Sequence, residues 1–441
     1  MKIGMFPLSG IRVCDTELLE MGLTLPGFVE RSKTIASLPS LGLLTLAGMT
    51  PARHEISYVE VPDLNDVESL LLDIDLAAIS SYSAQMDEAY YLAGRFKEWG
   101  IPTVIGGPHV TAVPEEASKH CDSVAIGEGE PLWHRILADA EIGALKKFYR
   151  AEADFEMKDA PMPAFELLDM SKYNRLTVQT SRGCPHKCEF CASSVILTGR
   201  YKQKPAEKVA AEIEKIMRIW EHPFIEFADD NSFVDRAYWK KLLGLLKGKK
   251  FRWFAETDIS VAEDAELLEM MRESGCEQVL IGLESPEENS LRGVETKSDW
   301  KLRKLPRYKE AVNRIQSAGI SVNGCFVIGL DGQGPDIFDR VFDFAEDAGL
   351  YEVQITIMTA FPGTPLYSRL EKEGRLMEPA NWKKCTLFDI NFKPLKMSAK
   401  ELNKGFKSLG ARLYGDECTH KRRNRFRQTL KDIRRKKGGE V

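Results

Sequence analysis

From residue 176 to residue 357 the chain alternates between two kinds of local signal. Short apolar runs with strand character, "LTVQT", "PFIEFADD", "RWFAETDI", "EQVLIGLES", "SVNGCFVIGL" and "EVQITIM", are separated by amphipathic helical stretches such as "AEKVAAEIEKIMRIW", "DAELLEMMRESG", "YKEAVNRIQSAG" and "IFDRVFDFAEDAG". Three of those helical stretches end in glycine, the usual helix stop signal. Strands joined by helices must run parallel, so this alternation predicts a partial or full βα barrel whose chemistry lies on the loops at the strands' carboxyl ends.

The first ~140 residues follow the same logic in a separate series. "KIGMFPL", "EISYVEV", "DLAAISSYS", "IPTVIGG" and "SVAIGEGE" read as strands, and "SLGLLTLAGMT" and "QMDEAYYLAGRFKEWG" as helices. Glycine or serine at the strand ends suits an open parallel sheet that binds its ligand there. The predicted fold class is α/β. A Rossmann-like domain spans 1–145 and a proline-containing linker, with "DAPMPAFELLDMSKY", spans 146–175. A (β/α)6 barrel follows over 176–375, then a mainly helical extension with a basic tail over 376–441.

Within the barrel series, "SRGCPHKCEFCASS" places Cys184, Cys188 and Cys191 in eight positions, directly after the first strand. The chain has nine cysteines, the rest isolated, and "MKIGMFPLSG" is too short an apolar start for a signal peptide. Both features predict a cytoplasmic protein with reduced thiols. No run approaches the ~18 apolar residues of a membrane span. Clustered thiolates suit zinc or an iron–sulfur centre. A structural zinc site takes four protein ligands, usually as paired knuckles; there is no second knuckle, and His186 is the one neighbour able to complete such a set. A four-iron cluster ordinarily takes four cysteines, so three would leave one iron open. Gly183 and Pro185 shape a tight turn around the ligand. Cys325, in a strand, and Cys276, after a helix, are expected to pack in the core.

The pattern CxxxCxφC, with Phe190 before the last cysteine and a position at the end of the first barrel strand, resembles the signature of radical S-adenosylmethionine (SAM) enzymes. The resemblance implies a [4Fe-4S] cluster whose open iron is chelated by the amino and carboxylate groups of SAM. It also implies an external one-electron donor such as flavodoxin or ferredoxin, and a 5′-deoxyadenosyl radical that abstracts hydrogen from an unactivated position. Carried over position by position, it assigns Asp229, Asp230 and Asn231 to the SAM amino group, and Glu284 and Ser285 to the ribose. Val327 and Gly329, within "GCFVIGLDG", would pack on adenine. "FPGTPLY" (361–367) follows the sixth strand, as in one subgroup of the family.

That subgroup also carries a cobalamin-binding domain ahead of the barrel, which the amino-terminal series resembles, and "PSLGLLTLAGMTP" (39–51) matches it. Ser80, Ser81, Gly106, Gly107, Gly127, Glu128 and Gly129, at successive strand ends, would line the channel of the cobalamin tail. No GxGxxG follows the first strand, which argues against a nicotinamide cofactor. Nor does a D-x-H-x-x-G, so no histidine is nominated as the lower axial ligand. The resemblance implies methylation of an unactivated carbon in a small-molecule or lipid substrate. The same modules also fit a radical cyclisation, rearrangement or coupling without methyl transfer. A third reading is a zinc-stabilised RNA-binding or RNA-modifying protein.

Residues 421–437 carry ten Lys or Arg and one Asp, although the whole chain has a net charge of −5. The acidic body and the lack of an aromatic-interleaved basic platform argue against nucleic acid. Phe426, Leu430 and Ile433 form a narrow apolar stripe at i, i+4 and i+7, the pattern of a helix lying on anionic lipid. This predicts a peripheral contact with the inner membrane face.

Overall fold

The structure, a computed structural model, describes residues 1–8, 13–20, 38–61, 64, 73–152, 154–193 and 198–438. Its first sheet contains β1 (Lys2–Leu8), β2 (Glu55–Tyr58), β3 (Leu76–Ser81), β4 (Thr103–Gly106), β5 (Ser123–Ile126) and β6 (Phe148–Arg150), in the order β2-β1-β3-β4-β5-β6. Every pairing is parallel. Helices cover both faces, so β1 and β5 are buried almost without alternation. Leu41–Met49 and Glu130–Glu141 pack with Ile3, Met5 and Leu76 on one side, and Met86–Glu98 packs with Phe6 and Ile79 on the other. The strand order reverses between β1 and β3, where open sheets of this type form a crevice beyond the carboxyl ends.

The stretch expected to be a linker is packed. It begins with the edge strand β6, too short to stand out in the sequence, and Phe165 is fully buried. The Ala164 N–H donates to the Leu44 carbonyl at 2.9 Å, tying the stretch to the first domain. Its prolines interrupt regular structure without freeing the chain.

The second sheet starts at β7 (Leu176–Val178). A short antiparallel pair, β8 (Ser181–Arg182) with β9 (Lys202–Gln203), flanks the cysteine loop. The sheet continues with β10 (Phe224–Ser232), β11 (Arg252–Thr257), β12 (Cys276–Glu284), β13 (Ser321–Ile328) and β14 (Glu352–Ile357), in the order β14-β13-β12-β11-β10-β7. Six parallel strands with β7 and β14 at the edges make a partial barrel. Outward residues meet the helices: Trp253 and Phe227 pack on Trp239 of the helix Arg236–Leu246. Alternate residues face the lumen, which decides the fate of two cysteines. Cys276 is fully buried in the core, whereas Cys325 lies opposite Gly282 in the β12–β13 register and opens into the lumen instead of packing.

The carboxyl-terminal region ends in two helices, Ala399–Tyr414, opened by a Ser398/Glu401 capping box, and Asp416–Gly438. Part of the apolar stripe of the last helix packs on the protein itself. Phe426 is buried with its ring 5.1 Å from Tyr351, and the Ile433 side chain lies beside Gly319. Arg423 pairs with Glu352 at 2.8 Å and Arg422 donates to the Leu413 carbonyl. Two of the three stripe residues thus meet the protein's own surface. No helix among the described residues is long and apolar enough to cross a membrane.

Candidate active site

The cysteine loop leaves β8 through Gly183, whose φ of +84° suits glycine and where a Cβ would lie 2.6 Å from the Arg200 carbonyl oxygen. Its N–H donates to Asp230 at 2.6 Å. Inside the loop, the Cys191 N–H donates to the Cys188 carbonyl at 3.1 Å. A second clamp comes from residues 293–296: Glu189 N–H donates to the Val294 carbonyl, and Thr296 N–H to the Lys187 carbonyl, both at 2.9 Å. "FPGTPLY" supplies a third. Thr364 caps the helix Pro365–Lys372, whose Leu366 N–H donates to the Glu189 carbonyl, and Arg369 grips the Glu189 carboxylate with two hydrogen bonds at 3.0 and 2.7 Å. Arg369 also reaches Asp331, 2.7 Å away. The loop is thus fixed from three directions by groups other than its thiols.

The donor set fits a multi-iron cluster. Cys184 and Cys191 are half-buried, Cys188 is buried, and all three are free thiols. Burial pushes Cys184 up to about 11 and Cys188 higher still, and the nearby Cys191 adds to both shifts. Iron would have to displace those protons, as metals do at thiolate sites. Among the described residues no three His, Cys, Asp or Glu side chains converge tightly enough to hold one ion, whereas the corners of a cubane are spread. His186, the one residue that could complete a zinc set, is engaged elsewhere. It lies 3.3 Å from Asp258 and 3.2 Å from Glu295, with its ring on Trp300. Burial alone would lower its pKa, but the two carboxylates carry it above the ordinary value.

The strand ends sort the other expected residues. Asp229 is buried and saturated by Thr180 N–H, Thr180 Oγ1, Ser181 N–H and Ser232 Oγ, at 2.6 to 3.2 Å. It braces the approach to the cysteine loop and has no capacity left for an ammonium. Asp230 holds Gly183. Asn231 exchanges hydrogen bonds with Asp258 and reaches Cys184, so both border the loop. Glu284 takes a left-handed φ of +61° at a bulge in β12, and its carboxylate is held by Lys301 at 2.6 Å. Ser285 is fully buried, its Oγ accepting from the Glu287 N–H. Val327 lines up in β13 with its carbonyl bonded by Gln333. Gly329 is glycine because the carboxyl-terminal layer presses on it: a Cβ would sit 2.8 Å from Phe392. Phe190 is half-buried against the barrel core.

In the first domain a cavity of about 440 Å³ opens at the carboxyl ends of β1, β3, β4 and β5. Ser80, Ser81, Gly106, Gly107, Gly127, Glu128 and Gly129 all line it. Gly107 and Gly127 take φ of +119° and +90°, which turns the backbone away and leaves room for a bulky ligand. Leu8, Leu41 and Leu46 make the walls apolar; no histidine lines it among the described residues. A wide, largely apolar space with glycines at its strand ends suits a bulky ligand such as cobalamin. Glu128, however, has its carboxylate committed to Arg182 at 2.8 Å and Lys202 at 2.6 Å. The cavity does not stop at the domain boundary: Thr177, Gln179, Arg182 and Glu226 from the barrel side also line it.

Sequence reasoning missed Arg182, Glu130, Arg369, Lys301, Tyr82 and Glu256. One signal was available: Glu256 shares the parity of Phe254 in the strand Arg252–Thr257.

Comparisons with known proteins agree with this geometry. Residues 178–345 match the model of the radical SAM superfamily, residues 33–135 that of the B12 binding domain, and residues 364–440 a domain of unknown function. An uncharacterized methyltransferase of Synechocystis sp. is 30% identical over 382 residues, covering 84% of this chain and 70% of that protein. The bacteriochlorophyllide d C-12(1)-methyltransferase of Chlorobaculum tepidum is 26% identical over 389 residues, 87% of this chain and 84% of that one. In fold, the chain is similar to TsrM, a radical SAM methyltransferase of Kitasatospora setae solved with cobalamin and a [4Fe-4S] cluster. The TM-score is 0.64 at 15% identity, over 94% of this chain and 82% of that one.

Proposed function

This chain belongs to the radical SAM superfamily, in the branch that joins a B12-binding domain to the barrel, and on that premise we propose that it methylates an unactivated carbon of a small-molecule or lipid substrate. The observation that carries the reading is the shared cavity, in which the strand ends of the B12-binding domain and the barrel residues beside the cysteine loop border one space. When bound, the cluster with SAM supplies a hydrogen-abstracting radical and cobalamin supplies the methyl group.

The protein's part is to hold and orient. Cys184, Cys188 and Cys191 ligate iron in a loop already fixed by Asp230, Glu189 and Arg369. Asp230 and Asn231, at the edge of that loop, receive the SAM amino group, and the glycines of the first domain cradle the cobalamin tail. Apolar walls exclude water from the radical. An external one-electron donor, flavodoxin or ferredoxin in type, reduces the cluster.

Anaerobic turnover with methyl-deuterated SAM tests the reading. Equal amounts of 5′-deoxyadenosine and S-adenosylhomocysteine, with label in the product, are expected. Deoxyadenosine alone would mean radical cyclisation, rearrangement or coupling.

A further inference from the structure

The last helix, Asp416–Gly438, lies across the amino ends of β13 and β14, at the opposite end of the strands from the cysteine loop. Phe426 meets Tyr351, just before β14, and Arg423 pairs with Glu352, the first residue of β14. The helix also presses on the glycines that precede both strands. Ile433 lies beside Gly319, and a Cβ at Gly349 would come within 2.5 Å of the Arg425 guanidinium. Arg422 and Phe426 are buried by this packing. Contact this close fixes which side of the helix faces outward.

The outward side is cationic. Lys421, Arg425, Arg427, Lys431, Arg434 and Arg435 are all exposed. Lys421 is neutralised by Glu346, and Arg425 reaches that residue's carbonyl oxygen. Among the described residues no carboxylate pairs with Arg427, Lys431, Arg434 or Arg435; Arg427 donates to Asn424, and Asp432 accepts from Gln428. Arg427, Lys431 and Arg435 stand at i, i+4 and i+8, the spacing at which like charges destabilise a helix. A layer of anions offsets that cost. Two anionic partners differ in their fit. No aromatic side chain stands among these cations to stack a base, and the chain outside residues 421–437 carries −14, which opposes a nucleic acid that tracks beyond the helix. A flat layer of phosphates asks for neither. We propose that this face docks on the anionic phosphate headgroups of a lipid bilayer, held by charge and without insertion of the apolar stripe. Juxtamembrane basic segments bind anionic leaflets in this way.

The test is flotation of the full-length, anaerobically reconstituted protein with vesicles of phosphatidylcholine, alone or mixed with an equal part of phosphatidylglycerol. Wild type is expected to float with the anionic vesicles and not with the neutral ones. It should be released between about 0.1 M and about 1 M salt, as the screening length falls from about 10 Å to about 3 Å. R427E/K431E/R434E/R435E is expected to weaken partition about a hundredfold or more, at wild-type iron content. Should that variant fail to fold, R427Q/K431Q/R434Q/R435Q carries the same test. The proposal is overturned if wild type does not float with anionic vesicles, floats equally with neutral ones, or stays bound at about 1 M salt as an inserted helix would. It is equally overturned if a folded variant floats like wild type, or if single-stranded RNA binds the protein more tightly per phosphate than the vesicles do. None of these outcomes bears on methyl transfer, which is read from label in the product.

Discussion

Arg182, two residues before the first cysteine of the cluster loop, sets its guanidinium 2.8 Å from Glu128 of the first domain and also bonds Glu130. Both glutamates are buried and both border the cavity. One side chain therefore ties the start of the cysteine loop to the lining of the first-domain cavity.

Arg182→Ala leaves Glu130 without a counter-charge and Glu128 with Lys202 alone. Breaking a buried pair from one side costs about 3–5 kcal/mol. Denaturant unfolding should show a loss of that order, and cobalt per chain should fall with it. Unchanged stability would mean the bridge is an ornament of the surface.

Arg369 is more exposed, so Arg369→Ala should cost the fold only about 1 kcal/mol. Its effect belongs to the loop. Chelators should strip iron several-fold faster, and Arg369→Lys should not rescue, because a lysine cannot grip the Glu189 carboxylate with two parallel bonds. Iron release at the wild-type rate would remove this role.

Asp229→Asn replaces an acceptor of four hydrogen bonds with a group that must turn an NH2 toward donors. The expected loss is about 1–3 kcal/mol, together with weaker iron retention, since Thr180 and Ser181 lead into the loop. Thermal unfolding and iron content measure the two effects.

These three residues also mark the limit of what could be read from sequence. The strands, the parallel sheets and the cysteine triplet are local patterns, and local patterns were legible. Arg182 and Glu128 are 54 positions apart, and Arg369 and Glu189 are 180 apart, so no window of sequence contains either pair. Asp229 and Asp230 are identical neighbours whose roles differ only because strand parity turns one into the packed layer and one toward the loop. Phe426, Leu430 and Ile433 form an apolar stripe, but periodicity cannot say what meets it; here Tyr351 meets Phe426 and Gly319 lies beside Ile433.

Glu256 predicts a pH dependence. Burial, Glu226, Asp230 and Asp229 raise its pKa, Arg175 opposes them, and Cys325 faces it from β13. The neutral acid is thus favoured in the folded state. Stability from this group is complete below its ordinary 4.5 and is lost as pH rises through about 7. Glu256→Gln should therefore gain stability over wild type as pH goes from 5 to 8. A difference in melting temperature that stays flat or shrinks over that range contradicts the assignment.

The most direct measurement of the whole account is the iron, sulfide and cobalt content of the anaerobically reconstituted protein, compared with its Cys184→Ala, Cys188→Ala and Cys191→Ala variants. About four irons and four sulfides, as one cubane requires, with about one cobalt per wild-type chain, and loss of SAM cleavage in each variant, is the result the account predicts. Zinc without sulfide, or a variant that still forms 5′-deoxyadenosine, would contradict it.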